Sequence, residues 1–238
     1  MSITGQPGGP PTKAGVALVD VLTGLHATIA ILAALRERDR SGQGQHVEVN
    51  LLSSLLSSLV NQAAAFINGG GVPAVMGNQH PSIAPYETLA TKDLPLAVAI
   101  GNDRQFAAMA AAVGRPELAA DERFVTNHSR VLNRAALVAE LESALATRGA
   151  EEWADHLRAR GLACGPVNDI AQAIALATGL GLDPVVRLRA GEGEIATVAS
   201  PLFLHRTPVR YHRPPPALGA DTGEVKAWLD RDGGELAE

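Results

Sequence analysis

The sequence has 238 residues, of which 46% are hydrophobic and only 3% are aromatic. This apolar content is sufficient for a packed, mainly aliphatic core and excludes a disordered chain. The net charge of −5, with lysines and arginines scattered along the chain, excludes the clustered basic surface of a nucleic-acid-binding protein.

The first elements are predicted to be a strand, a helix and a second strand. Residues 1–13 are irregular and rich in glycine and proline, whereas the apolar residues 14–19 predict a buried strand. From Val21 the apolar residues recur at steps of three and four, which predicts a helix to about Arg38 that ends at SGQG. The alternating sequence HVEVNL predicts a strand. This order indicates an α/β fold with a parallel sheet, although one such unit is less than a complete sheet domain.

The rest of the chain predicts one long helix, followed by short helices and hairpins. LLSSLLSSLVNQAAAFIN has the composition of a single helix, and its most apolar part is too short and too rich in serine to span a membrane. Hairpins are predicted in YETLATKDLPLAVAI and in RLRAGEGEIATVA. PLFLHRTPVRYHRPPP is predicted to be extended. Further helices are predicted at about 103–113, 133–147, 150–160 and 169–176, and in ADTGEVKAWL.

Asp20 stands alone among apolar residues, with residues 17–19 before it and Val21 and Leu22 after it. A bare carboxylate avoids such surroundings because its dehydration is costly. In one interpretation Asp20 is the N-cap of the following helix, and its carboxylate accepts backbone N–H groups near Thr23. The other interpretation adds chemistry to the cap. A carboxylate that the helix N-terminus keeps ionised in a partly dehydrated cleft is a usable nucleophile.

Other kinds of site are not indicated by the sequence. The G-x-G sequences do not join a strand to a helix, and neither a P-loop nor a G-x-S-x-G sequence occurs. The dispersed histidines and the single cysteine have no metal-ligand spacing, so no metal site is predicted. Cys164 has no catalytic partner nearby in the sequence and is predicted to be a small buried residue. Without an internal disulfide or an apolar leader, we expect a cytoplasmic protein that does not contact membranes.

The segment GGPPTKAGVALVDVLTGLHATIAILAALRERDRSGQGQHVEVNLL resembles the class III CoA-transferases, the CaiB/BaiF family that includes formyl-CoA transferase. The resemblance places Asp20 at the position of the family's nucleophilic aspartate, before an alanine-rich helix and a T/S-G-x-G-Q turn. It continues through GNQHPSIAPYETLATKD, FVTNHSRVLNRAAL, GPVNDIAQAI and RPPPALGADTGEV, and so covers nearly the whole chain. HPSIAPY and TNHSRVLNR are most similar to the succinate–hydroxymethylglutarate CoA-transferase branch, which acts on dicarboxylic acids.

The resemblance implies that coenzyme A is exchanged between carboxylic acids through a covalent intermediate on Asp20. Coenzyme A then enters as the acyl-CoA substrate, together with a carboxylic acid, and no tightly bound cofactor is implied. Leu51 is expected to contact the coenzyme A moiety.

Two loops are candidates for substrate contact, and each has a structural alternative. Gly69, Gly70 and Gly71 form a lid over the site in one interpretation and a plain turn in the other. His80 and Ser82 bind a substrate carboxylate in one interpretation and are ordinary loop residues in the other.

The resemblance also implies the CoA-transferase family III fold, a partial Rossmann-like large domain with a smaller α+β domain. Residues 1–50 are assigned to the large domain, 51–78 to a linker helix and glycine loop, 79–180 to the small domain, and 181–238 to a return segment with a C-terminal helix. Family members are longer, and the part expected before Met1 contains most contacts to the CoA nucleotide. They form interlocked homodimers.

Two rival interpretations stay open at this point. One is an isomerase of the same superfamily, similar to 2-methylacyl-CoA racemase, in which this aspartate moves a proton together with a histidine outside this chain. The other is a non-catalytic fragment or subunit that pairs with a partner supplying the CoA-binding half.

Overall fold

The structure, a computed structural model, describes residues 1–231 and contains two compact units. The first unit spans Met1–Val167, and the second begins at Asn168. This division falls before residue 180, where the sequence analysis places the end of the small domain.

The first unit begins with an irregular segment and a long helix, α1 (Leu18–Ser41). The helix is predicted correctly, but the strand predicted at 14–19 is wrong, because α1 already begins within it. Gly42 ends α1 in the left-handed conformation (φ 75°), and its N–H donates to the carbonyl of Arg38 at 2.8 Å. None of the residues of α1 is buried.

Two shorter helices, α2 (Leu51–Ser58) and α3 (Val60–Gly69), follow. The strand predicted in HVEVNL is wrong, because the segment has no partner strand among residues 1–231 and leads into α2 instead. Asn50 is the N-cap of α2, and its side chain accepts from the N–H of Ser53 at 2.9 Å. The single long helix predicted here is also wrong. α2 and α3 meet at 81°, because Val60 has a positive φ of 44°, which a branched residue adopts only under strain.

Three antiparallel strands form the sheet of the first unit, in the order β1 (Tyr86–Leu89), β2 (Leu96–Ala99) and β3 (Ala163–Pro166). The β1–β2 hairpin is predicted correctly, and Tyr86 pairs with Ala99. β3 is not predicted. The sheets within residues 1–231 are antiparallel, so the parallel sheet inferred from the first elements is not present there.

Four helices pack around this sheet: α4 (Asp103–Ala112), α5 (Asn127–Leu132), α6 (Arg134–Leu145) and α7 (Ala150–Arg158), with a 3-10 turn at Pro116–Ala119. The helices predicted at 103–113, 133–147 and 150–160 correspond to α4, α6 and α7, whereas α5 is not predicted. The hydrophobic core lies within residues 84–162 and is mainly aliphatic. Its fully buried members include Leu89, Leu96, Phe106, Met109, Leu137, Leu141 and Leu145.

The second unit contains α8 (Ile170–Gly179), the hairpin β4 (Val185–Ala190) and β5 (Gly193–Val198), and α9 (Thr222–Arg231). These elements confirm the predicted helix, hairpin and C-terminal helix. Asp169 caps α8 in a capping box with Gln172.

By length and composition, α1 is apolar enough to cross a membrane, with a mean hydropathy of 2.0 over its most apolar window, and the bent pair α2–α3 could form a second span. One or two such helices are weak evidence, because helices of soluble domains pass the same test. They are not enough to indicate a membrane protein.

Candidate active site

Asp20 lies in the first turn of α1, as the third helical residue. The expectation that it is the N-cap is wrong, because the N-cap is Ala17, which has no side chain able to cap. Within residues 1–231 no group donates a hydrogen bond to the Asp20 carboxylate, and the hydroxyl of Thr23 instead donates to the carbonyl of Val19 at 2.7 Å. Asp20 is therefore held at the helix start by backbone position alone.

The backbone around Asp20 leaves two N–H groups unused. The N–H of Leu18 donates to the carbonyl of Val16 at 2.9 Å, and the N–H of Val21 donates to Ala17 at 3.2 Å. The N–H groups of Val19 and Asp20 find no acceptor within the described chain. Free N–H groups at a helix start carry the positive end of the helix dipole, so this turn favours negative charge.

Asp20 faces a cleft of about 520 Å³ between the first residues of the chain, the start of α1 and the end of α2. Most of the lining is apolar, and Lys13 is the one lysine or arginine among the lining residues. Asp20 itself is exposed. The partly dehydrated setting expected from the sequence is therefore not present in this chain on its own.

The far wall of the cleft depends on how α2 packs against α1. The Nδ1 atom of His26 on α1 lies 3.0 Å from the hydroxyl of Ser54 on α2, which is buried. This contact ties α2 to α1. Leu55 and Ser58 of α2, and Leu59 directly after it, line the same cleft as Asp20.

Two of the residues proposed from the sequence lie elsewhere. Leu51 is the first residue of α2 and is 52% exposed, but it does not line the Asp20 cleft. Gly69, Gly70 and Gly71 close α3 and also lie outside the cleft lining. Gly70 adopts the left-handed conformation (φ 71°), and its N–H donates to Phe66 at 2.8 Å. This conformation is that of an ordinary helix end.

His80 and Ser82 lie in the loop before β1 and do not line the Asp20 cleft. The N–H of Ser82 donates to Nδ1 of His80 at 3.2 Å. The His80 ring stacks on Tyr86 with centroids 5.1 Å apart, and the His80 N–H donates to the Tyr86 carbonyl at 3.0 Å. The structure thus keeps these two side chains together, although it does not bring them to Asp20.

The first residues of the chain connect the Asp20 cleft to the loop that contains His80. Ile3 and Thr4 line the Asp20 cleft. The carbonyl of Gly5, the next residue, accepts from the N–H of Gly77 at 2.9 Å. Gly77 lies three residues before His80, so this segment joins the wall of the cleft to the start of the His80 loop.

Sequence analysis did not identify Lys13 or the α2 residues as part of the site. Lys13 lies inside a motif used for the resemblance, but nothing in its spacing indicated that it lines the same cleft as Asp20. Leu55 and Leu59 were predicted only as helix residues, and their place in the cleft depends on contacts between α1 and α2. Among the residues that the structure describes, no group of three or more His, Cys, Asp or Glu side chains is arranged to hold a metal ion.

A family model, CoA-transferase family III, matches residues 1–222 of the chain. Among curated proteins, the chain is 37% identical over 235 residues to the succinate–glutarate CoA-transferase of Agrobacterium fabrum. That match covers 97% of this chain and 58% of the relative. The chain is also 39% identical over 177 residues to the acetyl-CoA:oxalate CoA-transferase of Acetobacter aceti, with 74% of this chain and 46% of the relative covered.

Among solved structures, the chain is similar to a CaiB/BaiF family protein from Brucella suis. The TM-score is 0.79 at 36% sequence identity, and the match covers 97% of this chain and 60% of that protein. The fold of the chain is therefore that of the CaiB/BaiF structures. The chain spans about half the length of the curated relatives that it matches.

Proposed function

This chain belongs to CoA-transferase family III, and from that premise we propose that it supplies the nucleophile of an enzyme that transfers coenzyme A between carboxylic acids. The observation that supports this is the placement of Asp20 in a mostly apolar cleft, beside two backbone N–H groups at the start of α1 that have no acceptor within residues 1–231. The helix N-terminus stabilises the carboxylate before attack. It also stabilises a negatively charged oxygen that forms beside it.

In the proposed reaction, a carboxylate oxygen of Asp20 attacks the carbonyl carbon of an acyl-CoA. The carbon–sulfur bond breaks, coenzyme A leaves as a thiolate, and a mixed anhydride joins Asp20 to the donor acid. The thiolate then attacks the Asp20 carbonyl carbon and expels the donor carboxylate, which leaves coenzyme A attached to Asp20 as a thioester. The acceptor carboxylate passes through the same steps in reverse and restores Asp20. The cycle needs no net proton transfer.

The other groups of the cleft have separate tasks in this proposal. The N–H groups of Val19 and Asp20 bind the oxygen that becomes negative when the tetrahedral intermediate forms. Lys13 attracts the anionic substrates. Leu55 and Leu59 belong to the apolar wall that limits the access of water, which would otherwise hydrolyse the anhydride.

The substrates that we propose are dicarboxylic acids and their CoA thioesters. Support comes from the relatives named for succinate, glutarate and oxalate and from the similarity of HPSIAPY and TNHSRVLNR to a dicarboxylate-specific branch. A dicarboxylate keeps one free carboxylate while the other reacts. Leu51, Gly69–Gly71, His80 and Ser82 do not line the Asp20 cleft of this chain, so we propose that they act in the assembled enzyme: His80 and Ser82 bind this free carboxylate, Gly69–Gly71 act as a lid, and Leu51 contacts coenzyme A.

Membership of the family also supports a proposal for the domains and the assembly of the enzyme. The functional enzyme is a cytoplasmic, interlocked homodimer, or a complex with a chain that supplies the remaining part of the family fold. Residues 1–50 belong to its Rossmann-like large domain and 79–180 to its small domain, with 51–78 as the linker. Coenzyme A is a substrate that leaves in each cycle.

The experiment combines one substitution with chemical trapping in the native protein, purified with any chain that accompanies it. Asp20→Asn keeps the shape of the side chain and removes the nucleophilic charge. We expect transfer activity to fall by about three orders of magnitude or more, since the covalent route is lost. Hydroxylamine added with acyl-CoA should convert Asp20 of the wild-type protein to a hydroxamate, which peptide mass spectrometry detects.

Asp39→Asn provides a matched control, because Asp39 is an exposed aspartate near the other end of α1. It should retain normal activity. Near-normal turnover of Asp20→Asn, or an unlabelled Asp20 peptide, would overturn the proposal. A racemase would lose activity in Asp20→Asn but give no hydroxamate, so the trapping step separates the two chemistries.

A panel of acceptor acids in the same assay tests the substrate. Exchange with formate but not with succinate would reject the dicarboxylate assignment and leave the proposed CoA transfer standing.

A further inference from the structure

The loop 80–85, which leads into β1, has no regular structure, yet side chains bind most of its backbone carbonyls. Arg134, the first residue of α6, reaches back over this loop. Its Nη2 atom donates to the carbonyl of His80 at 2.7 Å and to the carbonyl of Ile83 at 2.9 Å. Its Nη1 atom donates to the carboxylate of Glu87 on β1 at 2.5 Å. One guanidinium therefore ties the loop to the sheet.

Two neighbouring side chains hold the rest of the loop. Asn127 donates to the carbonyl of Ser82 at 2.8 Å and accepts from the N–H of Ala84 at 3.1 Å. Arg130 donates through Nε to the carbonyl of Ala84 at 2.7 Å. Of these contacts, only those of Arg134 fix the backbone at His80 itself.

The Arg134–Glu87 pair is nearly removed from water, with side-chain exposures of 10% and 5%. The desolvation of two buried charges offsets most of their attraction, so apolar residues of similar size would give comparable stability. An arginine differs from such residues in its rigid, planar set of donors, which fixes several acceptors in one geometry. Holding the loop in one geometry is therefore the property of this pair that an apolar pair could not supply.

The loop geometry determines which nitrogen of His80 is offered to a ligand. Nδ1 accepts from the N–H of Ser82 at 3.2 Å, so the neutral ring carries its proton on Nε2. Stacking on Tyr86 fixes the plane of the ring. Within residues 1–231 no group accepts a hydrogen bond from Nε2. His80 thus presents an oriented, unused N–H donor from a partly exposed ring.

We infer that Arg134 is a positioning residue, which holds His80 so that, in the assembled enzyme, its Nε2–H binds the free carboxylate of the acid substrate. The inference rests on the proposed function, since it assigns a carboxylate to the His80 donor. A lysine at 134 keeps the charge opposite Glu87 but cannot hold the His80 and Ile83 carbonyls and the carboxylate in the same planar arrangement. The loop 80–85 then becomes more mobile, and the Nε2–H of His80 is no longer held in one orientation.

The test measures KM and kcat for the acceptor acid, with succinate as the probe, in the native protein. Arg134→Lys should raise the KM for succinate about tenfold, as expected when one hydrogen bond to a charged group is lost, and leave kcat within about threefold. His80→Ala should raise KM to a similar extent. The double variant should be no worse than either single variant, because Arg134 acts through His80. Additive effects, or an unchanged KM in Arg134→Lys, would overturn the inference.

Arg115→Lys is the matched control, since Arg115 also pairs with a carboxylate of α6, that of Glu140, but does not contact the loop. Its KM for succinate should match that of the wild-type protein. If Arg134→Lys does not fold, Glu87→Gln is the second variant. It keeps the shape of the side chain, weakens the hold on Arg134, and should raise KM about threefold. An unchanged KM in Glu87→Gln would equally overturn the inference.

Hydroxylamine trapping at Asp20 separates this inference from the proposed function. If trapping succeeds in both the wild-type protein and Arg134→Lys while KM is unchanged, the proposed chemistry stands and the role of Arg134 is rejected. If trapping fails in the wild-type protein, the proposed function itself is rejected.

Discussion

Cys164 lies half-buried on β3, with its thiol 3.6 Å from the carbonyl oxygen of Ala154 on α7. Burial raises the pKa of this thiol, since the thiolate would lose hydration there, and the positive charge of Arg158 only partly offsets the effect. The thiolate is the reactive form of cysteine. Cys164 is therefore a poor nucleophile near neutral pH, which agrees with the prediction that it is not catalytic, although the residue is half-buried and not fully buried as predicted.

The reactivity of Cys164 tests this interpretation. At about pH 8, iodoacetamide should alkylate the folded protein about tenfold more slowly than the same chain in denaturant, because only the folded thiol has a raised pKa. Since the folded rate rises as the pH approaches that pKa, the difference should narrow at higher pH. Mass spectrometry of the peptide containing Cys164 measures both rates, and Cys164→Ser gives the unlabelled control. Equal rates in the folded and denatured chain would contradict the prediction.

At the scale of elements, the start of α7 depends on a residue from the β1–β2 turn. Gly149 is the N-cap and offers no side chain, but Oδ1 of Asp93 accepts from the N–H of Ala150 at 2.8 Å. The N–H groups of Ala150 and Leu94 hold the pKa of Asp93 below its usual range, with a further contribution from the hydroxyl of Thr91. The carboxylate of Asp93 therefore joins α7 to the sheet.

The stabilisation from Asp93 should depend on pH. A carboxyl whose pKa is lower in the folded state stabilises fully above its unfolded-state value, 3.8, and this contribution is lost as the pH falls through the folded-state pKa. Asp93→Ala should therefore lower Tm at about pH 7, and its deficit should shrink by about pH 3. Thermal unfolding followed by circular dichroism measures both. A Tm deficit of the same size at the two pH values would contradict this prediction.

Gly149→Ala examines the same contact from the helix side. The φ of −73° at Gly149 suits alanine, but the added Cβ would lie 2.5 Å from Oδ2 of Asp93. The carboxylate has to move away from the N–H of Ala150. The variant should therefore lose Tm with the same pH dependence as Asp93→Ala.

Local sequence predicted those elements whose pattern repeats within one segment. The helix predicted from Val21, which the structure starts three residues earlier at Leu18, has such a pattern, as do the helices α4, α6 and α7 and both hairpins. β3 does not, because Ala163–Pro166 contains small residues and a proline, and its strand conformation comes from pairing with β2. The contact of Asp93 with Ala150 joins residues 57 positions apart, and no local pattern contains it.

In the candidate site, too, local sequence predicted some residues, whereas others depend on contacts between distant parts of the chain. The resemblance identified Asp20, and the structure places it at a helix start in a cleft. The capping role failed because the helix begins earlier than the apolar periodicity suggests. Lys13 and Leu55 could not be assigned, since their proximity to Asp20 requires the irregular first residues and the packing of α2 on α1.

At the scale of the whole molecule, α1 is a long apolar helix without a covered face. It has 24 residues, and none is buried. Val21, Leu25, Ile29 and Leu32 are each more than half exposed. A contiguous apolar surface of this size on a folded protein marks an interface. Relatives contain further residues that this chain does not span, and we expect such residues, or another copy, to cover α1.

The 238-residue chain on its own should therefore associate beyond its monomer mass of 24.7 kDa and bind a hydrophobic dye. Replacing Ile29 and Leu32 together by lysine should reduce both effects, because the substitutions break the apolar face of α1. Leu132→Lys is the matched control, since Leu132 is 71% exposed on α5. It should leave association unchanged. Light scattering that shows a wild-type monomer without dye binding would contradict the prediction.

Lipid is the other possible cover for α1, and the polar residues of the helix argue against it. Asp20 lies in the first turn of α1 and His26 is the ninth of its 24 residues, so a membrane that enclosed the helix would have to enclose both. An ionised carboxylate at the centre of a membrane-spanning helix costs about 3 kcal/mol even on permissive scales, and the cost is smaller but still unfavourable near the helix end, where Asp20 lies. In a protein interface, by contrast, the free N–H groups beside Asp20 stay available to offset its charge. We therefore expect the chain not to sediment with lipid vesicles under conditions in which it self-associates. Co-sedimentation that Ile29→Lys with Leu32→Lys abolishes would instead assign α1 to a membrane.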